Sequence, residues 1–186
     1  MRIIGGNLKG RKILLPKDKT TRPIRDLVKE SLFNLLEHSN KFKTKIENAV
    51  VLDLFSGSGS FGIECISRKA QKIYFIENYP LTLEILNKNI SKLNIVKNCD
   101  VSETDCFKIL NNKRYNILKF DIIFIDPPYR ENKINLLIDE IKDKKILNKN
   151  GIIIIHRHKK DDVIITNKLN ILDIRKYGIS KIIIGN

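Results

Sequence analysis

The apolar positions of the chain follow two different rhythms. Up to about residue 45 they are sparse and locally grouped; from Ala49 onward, continuous apolar runs alternate with amphipathic segments. In the first part, Arg2–Ile4 and Arg11–Leu15 flank GGNLKG and predict a β-hairpin. Thr20 and Thr21 offer hydroxyl caps, and Pro23 suits a first helical turn. Val28, Leu32, Leu35 and Leu36 then fall at i, i+4, i+7 and i+8, which predicts a helix ending near Ser39. The polar stretch KFKTKIEN reads as a linker.

In the second part, strands are expected at Val50–Phe55, Lys72–Ile76, Asp100–Ser102, Asp121–Ile125 and Gly151–Ile155. A helix starting at Pro80 places Leu83, Leu86, Ile90 and Leu93 on one face. Strands that are apolar throughout, with helices between them, indicate an α/β fold with a parallel sheet covered on both sides. Asn170–Ile174 and Ile179–Ile184, around Tyr177–Gly178, read as a closing antiparallel hairpin. The expected organisation is therefore an N-terminal hairpin-and-helix extension over 1–45 and a main domain over 46–186.

Composition narrows the class. No uncharged apolar run approaches the roughly 18 residues a membrane helix needs, and MRIIGGNLKGRKILLP lacks the apolar centre of a secretory leader. A cytoplasmic, monomeric protein with no membrane role is expected. Cys65, Cys99 and Cys106 are odd in number and spaced 34 and 7 apart, which suits free thiols rather than disulfides or zinc. His156 and His158 form an H-x-H at the end of an apolar run, but no partner ligand is evident and no metal is expected. Net charge is +14, and residues 1–45 hold 12 Lys/Arg against 4 Asp/Glu, so about a quarter of the chain carries more than half of the surplus. Such a basic field attracts polyanions, although Lys-rich composition throughout the chain weakens the inference.

The chemical signals lie at the ends of the expected strands. In VVLDLFSGSGSFGIE, a buried strand ends at Asp53–Phe55, and Gly57, Gly59 and Gly62 lead into a helix. Glycines there let backbone approach a ligand and present amides at a helix N-terminus. The G-x-G-x-x-G spacing would also suit a dinucleotide. Asp53, however, would repel a pyrophosphate and attract the cationic amino and sulfonium groups of S-adenosylmethionine. Glu77 follows 24 residues later, about where an acid reaches a ribose diol. Asp105, followed by Cys106, stands where such folds contact adenine, and it reads equally well as the N-cap of a short helix.

FDIIFIDPPYR carries the reacting end. Pro127 and Pro128 stiffen the backbone and remove amide donors, leaving carbonyl acceptors beside Asp126 and an aromatic ring at Tyr129. An exocyclic base amine is a poor nucleophile because its lone pair is delocalised. Asp126 and the Pro127 carbonyl would hold its two hydrogens and aim the lone pair, while Tyr129 would stack on the base.

These segments together resemble the bacterial 16S ribosomal RNA guanine-N2 methyltransferases of the RsmD type, nearly end to end. MRIIGGNLKGRKI and TRPIRDLVKESLFNLL resemble that family's N-terminal signatures; DLFSGSGSFGIE, the Glu77 segment, DPPY and RKYGISKI follow in the same order. The resemblance implies a Rossmann-like, seven-stranded class I methyltransferase sheet with a C-terminal antiparallel hairpin. It implies S-adenosylmethionine as cofactor and N2 of one guanine in 16S RNA, the 966 site in that family, within the small subunit or its assembly intermediate. Carried over by position, Asp53, Phe55, Gly57, Gly59, Glu77, Asp105 and Cys106 would line the cofactor site. Asp126, Pro127 and Tyr129 would hold the guanine with Pro128 beside them, and Arg11, Arg22 and Arg25 would contact RNA. His156 departs from the pattern, standing where an acid is expected, and receives no role.

Two other readings stay open. A DNA adenine-N6 methyltransferase would share the site but usually carries a target-recognition domain. A non-catalytic RNA-binding module would not need intact acidic, glycine and DPPY positions.

Overall fold

The computed structural model of the protein describes residues 1–16, 24–128, 131–161 and 165–186. The helix caps expected at Thr20, Thr21 and Pro23, and the site residues Arg22 and Tyr129, lie outside them.

A sheet of seven strands organises the described residues, in the order β3-β2-β1-β4-β5-β7-β6. β1 (Val50–Leu54), β2 (Lys72–Glu77), β3 (Cys99–Glu103), β4 (Phe120–Ile125) and β5 (Leu147–His158) run parallel. β7 (Ser180–Gly185) lies antiparallel between β5 and β6 (Ile171–Tyr177), so the tail closes as a hairpin. Successive side chains of a strand face opposite sides, so the sheet builds two cores. Val51, Phe75, Phe124 and Ile154 face one side, beneath α1 (Asp26–His38), α2 (Ser60–Ser67) and α3 (Pro80–Lys92). Leu52, Ile76, Ile123 and Ile153 face the other, beneath α4 (Cys106–Ile109), α5 (Lys113–Ile117) and α6 (Ile134–Asp143). On α6 the apolar positions Ile134, Leu137, Ile138 and Ile141 form one stripe, all buried. Among the described residues no helix is long and apolar enough to cross a membrane.

Three expectations change in detail. The N-terminal hairpin is reduced to a single antiparallel bridge, Arg2 to Lys12, around a 3₁₀ turn at Gly6–Leu8. Three amides beyond the bridge turn to side chains instead: Ile4 and Gly5 donate to Glu64 at 2.9 and 2.8 Å, and Leu14 donates to Asn89 at 2.8 Å. The first helix starts at Asp26 without a side-chain cap. The stretch read as a polar linker buries Phe42 and Ile46 in the same core as Val51, because two apolar anchors outweigh its polar average.

The N-terminal segment is held by a buried ion pair. Lys29 and Glu64, both without solvent exposure, approach to 3.7 Å, and the Lys29 ammonium donates to the Arg2 carbonyl at 2.9 Å. Burial holds Lys29 below the ordinary lysine range, against the pull of Glu64. Removing one partner would strand the other charge.

Candidate active site

The strand order reverses between β1 and β4: the chain steps outward from β1 to β3, then returns to β4 on β1's other side. Crevices at such points, beyond the carboxyl ends of the strands, are where open α/β sheets bind ligands. Of the residues singled out from the sequence, Asp53, Phe55, Gly57, Glu77, Asp105, Cys106 and Asp126 come together here.

After β1 the backbone turns through an unusual run of positive φ at Phe55, Gly57 and Gly59 (59°, 55° and 82°). Phe55 holds its conformation against the steric cost of a side chain there. Its amide donates to the Cys106 sulfur at 3.2 Å, and its ring meets Phe107 edge-on at 5.9 Å. Gly59 caps α2, and a β-carbon on it would stand 2.5 Å from a Leu86 methyl. Gly62 lets α2 lie against β2, since a β-carbon there would stand 2.4 Å from the Phe75 ring. Ser56 staples the loop to β2: its amide donates to the Ile76 carbonyl at 3.0 Å and its hydroxyl accepts from Ile76 at 2.9 Å. Buried Asn89, on α3, donates to both Ser58 at 3.0 Å and Leu14 at 3.1 Å, joining the loop to the N-terminal segment.

Three carboxylates gather around this loop. Asp53, on β1, is buried and accepts from the Gly62 amide at 3.0 Å. Glu77, the last residue of β2, accepts from Gly57 at 2.8 Å through one oxygen, and from Asn78 at 3.0 Å and Tyr79 at 2.8 Å through the other. Asp126 leaves β4 directly beside β1, with its amide 3.5 Å from the Leu54 carbonyl. Burial pushes the Asp53 carboxyl well above the ordinary carboxylate range. The Gly62 amide opposes this, and the charges of Asp126 and Glu77 push it further up. Burial thus disfavours charge on Asp53 itself, while the charges of Asp126 and Glu77 set up a negative field there, which favours a cationic ligand group and disfavours a pyrophosphate.

Pro127 is buried and Pro128 exposed, and the Pro128 carbonyl accepts from Glu131 at 2.9 Å. Arg157 on β5 donates to the Glu131 carbonyl at 2.9 Å and ties this loop to the sheet. Asp105 caps α4 by accepting from Phe107 at 2.9 Å, and Cys106 is buried behind Phe55, its thiol pushed up by burial. Arg11 and Arg25 are exposed, away from the carboxylates' hydrogen bonds. Arg11 donates to the Lys92 carbonyl at 3.0 Å, and Arg25 precedes α1.

One contact of Asp126 was not read from the sequence. His156, buried on β5, brings Nδ1 to 2.8 Å from Asp126 Oδ1 and Nε2 to 2.9 Å from the Ser180 hydroxyl. The register of the sheet makes this contact: Ile125 of β4 pairs with Ile155 of β5, so the next residue after each also stands opposite. Both ring nitrogens are thus engaged with protein groups. Among the described residues no group of three or more His, Cys, Asp or Glu side chains could hold a metal ion.

The reversed sheet, the glycine loop and the acid ending β2 define a class I methyltransferase fold. Over residues 1–186 the chain matches the family described as Conserved hypothetical protein 95, and it belongs to that family, the RsmD type. Among its relatives is the ribosomal RNA small subunit methyltransferase D of Buchnera aphidicola (subspecies Acyrthosiphon pisum), 39% identical over 163 residues, 88% of this chain and 81% of that protein. The Haemophilus influenzae protein of the same name is 31% identical, covering 96% and 90%. A solved structure of a putative methyltransferase, yhhF from Escherichia coli, superposes with a TM-score of 0.82 at 28% identity, covering 100% of this chain and 96% of that one.

Proposed function

We propose that the protein transfers a methyl group from S-adenosylmethionine to the exocyclic N2 amine of a guanine in small-subunit ribosomal RNA. The observation that carries this reading is the placement of Asp126 and the Pro127–Pro128 turn at the sheet's reversal point, against the glycine loop and its acids. The relatives named as small-subunit ribosomal RNA methyltransferases support the substrate class.

The crevice fits the cofactor's chemistry, because the charges of Asp126 and Glu77 beside Asp53 suit a ligand that carries an ammonium and a sulfonium. When bound, S-adenosylmethionine supplies an electrophilic methyl group on a good leaving group. The Gly57–Gly59 turn would allow close backbone approach to the amino-acid portion, Glu77 would accept from the ribose, and Asp105 with Phe55 and Cys106 would line the adenine side. Asp126 and the Pro127 carbonyl accept the two amine hydrogens, and Tyr129 stacks on the base. Aligning nucleophile and methyl group removes much of the entropic barrier, so no strong base is required. As the N–CH3 bond forms, the S–CH3 bond would break to release S-adenosylhomocysteine, and the amine's surplus proton would pass to solvent water afterwards. The basic N-terminal segment, with Arg11, Arg22 and Arg25, engages the RNA backbone. Further specificity comes from the shape of the assembling particle, in the cytoplasm.

The test is to incubate the protein and labelled cofactor with small-subunit particles, naked 16S RNA and duplex DNA. Nuclease digestion and mass spectrometry then identify the product. N2-methylguanosine in the particle RNA is expected; label in DNA adenine-N6 would overturn the RNA assignment.

A further inference from the structure

Asp126 can orient an amine only if its carboxylate is itself held, and one side chain does this. His156 sits on β5, the neighbour of β4 on the side away from β1. Its ring is buried, while Asp126 keeps partial access to the crevice, with its side chain 21% exposed. Nδ1 meets Asp126 Oδ1 at 2.8 Å. An ionised carboxylate only accepts, so the proton of this bond belongs to the imidazole, at Nδ1. On the ring's other side Nε2 lies 2.9 Å from the Ser180 hydroxyl at the start of β7, which can donate to it. The neutral Nδ1–H form thus satisfies every group in the row: Ser180 donates to His156, and His156 donates to Asp126.

We infer that His156 is a positioning residue for methyl transfer, its Nδ1–H committing Asp126 Oδ1 so that Oδ2 alone faces the substrate amine, with Ser180 setting the imidazole's tautomer. The inference rests on the proposed role of Asp126 as the amine's acceptor. The row couples the closing antiparallel hairpin to the reacting centre: β7 packs against β5 and supplies the hydroxyl that orients the histidine. A carboxylate free to rotate would share both oxygens between the amine and water, and the lone pair would lose its aim.

Three measurements on the full chain test this. In protein labelled with ¹⁵N-histidine, long-range proton–nitrogen spectra should show His156 protonated at Nδ1, and Asp126→Asn should perturb that signal. A deprotonated Nδ1 overturns the inference whatever reaction the protein performs. With labelled cofactor and small-subunit particles, His156→Ala should lower the single-turnover rate about 100-fold, the scale of a misplaced reacting group, while KM for RNA and affinity for S-adenosylhomocysteine stay near wild type. His156→Asn carries an amide N–H close to the position of Nδ1 and should recover part of the rate; Ser180→Ala should lose a smaller factor than His156→Ala. Unchanged turnover in His156→Ala, or a loss of cofactor affinity matching the loss of rate, overturns the positioning role. If label enters another amine with the same dependence on His156, the positioning role stands and the ribosomal substrate falls.

Discussion

The Gly57 amide donates to Glu77 Oε2 at 2.8 Å, joining the glycine loop after β1 to the acid that ends β2. The other Glu77 oxygen accepts from Asn78 and Tyr79, so one carboxylate shapes the walls of the crevice on both sides. A carboxylate accepts about four hydrogen bonds, which leaves capacity for a ribose hydroxyl. Glu77→Ala should therefore weaken S-adenosylhomocysteine binding about 10- to 100-fold, the equivalent of one lost charge-assisted bond. Calorimetry checks this, and an unchanged affinity removes Glu77 from the site.

Asp53 carries a cost in the ligand-free fold. Its carboxyl holds a proton more tightly when folded than when unfolded, because burial disfavours the charge. The stability this proton contributes is fully present below the ordinary carboxylate range and is lost as pH rises through the elevated native value. Asp53→Asn keeps an oxygen for the Gly62 amide and removes the titration. Its melting temperature should be less sensitive to pH than the wild type's and higher at neutral pH, while affinity for the cationic cofactor falls. Parallel melting curves from about pH 4 to about pH 8, measured without ligand, decide the matter; identical pH slopes would exclude Asp53 as the titrating group.

Binding and chemistry should separate at Asp126. Asp126→Ala keeps the glycine loop and Glu77 intact, so S-adenosylhomocysteine should still raise the melting temperature. Single-turnover methylation should fall by at least about 100-fold. Tyr129→Ala should also lose activity, by up to about 3 kcal/mol of stacking, and Tyr129→Phe should retain part of it. Rapid-quench measurements that find Asp126→Ala as fast as wild type would end the amine-holding role.

Arg11 is exposed on the segment that Lys29, Glu64 and Asn89 fasten to α1, α2 and α3, and Arg25 is exposed directly before α1. Reversing charge at Arg11, Arg22 and Arg25 should lower RNA affinity and make its salt dependence shallower by about 1 logarithmic unit of slope per lost phosphate contact. Cofactor affinity should stay constant. Titrations at several salt concentrations that give the wild-type slope would show that these residues do not touch the backbone.

What the sequence determined alone was whatever depends on local period and spacing. The continuous apolar strands, the stripe from Leu83 to Leu93, and the glycines between Asp53 and Gly62 are read directly, because burial on both faces and tight turns each leave a local residue pattern. The tertiary structure decided everything that depends on which distant groups meet. The amides of Ile4 and Gly5 could have continued a hairpin; Glu64, 60 and 59 residues away, takes them instead. Phe42 and Ile46 look like interruptions of a polar linker until the core around Val51 buries them. His156 lies in an apolar run where its neighbours suggest only packing, and its partners Asp126 and Ser180 are 30 and 24 residues off. Hydrogen bonds act at about 3 Å and carry no memory of separation along the chain. Only the register of β4, β5 and β7 could bring those three side chains into one row.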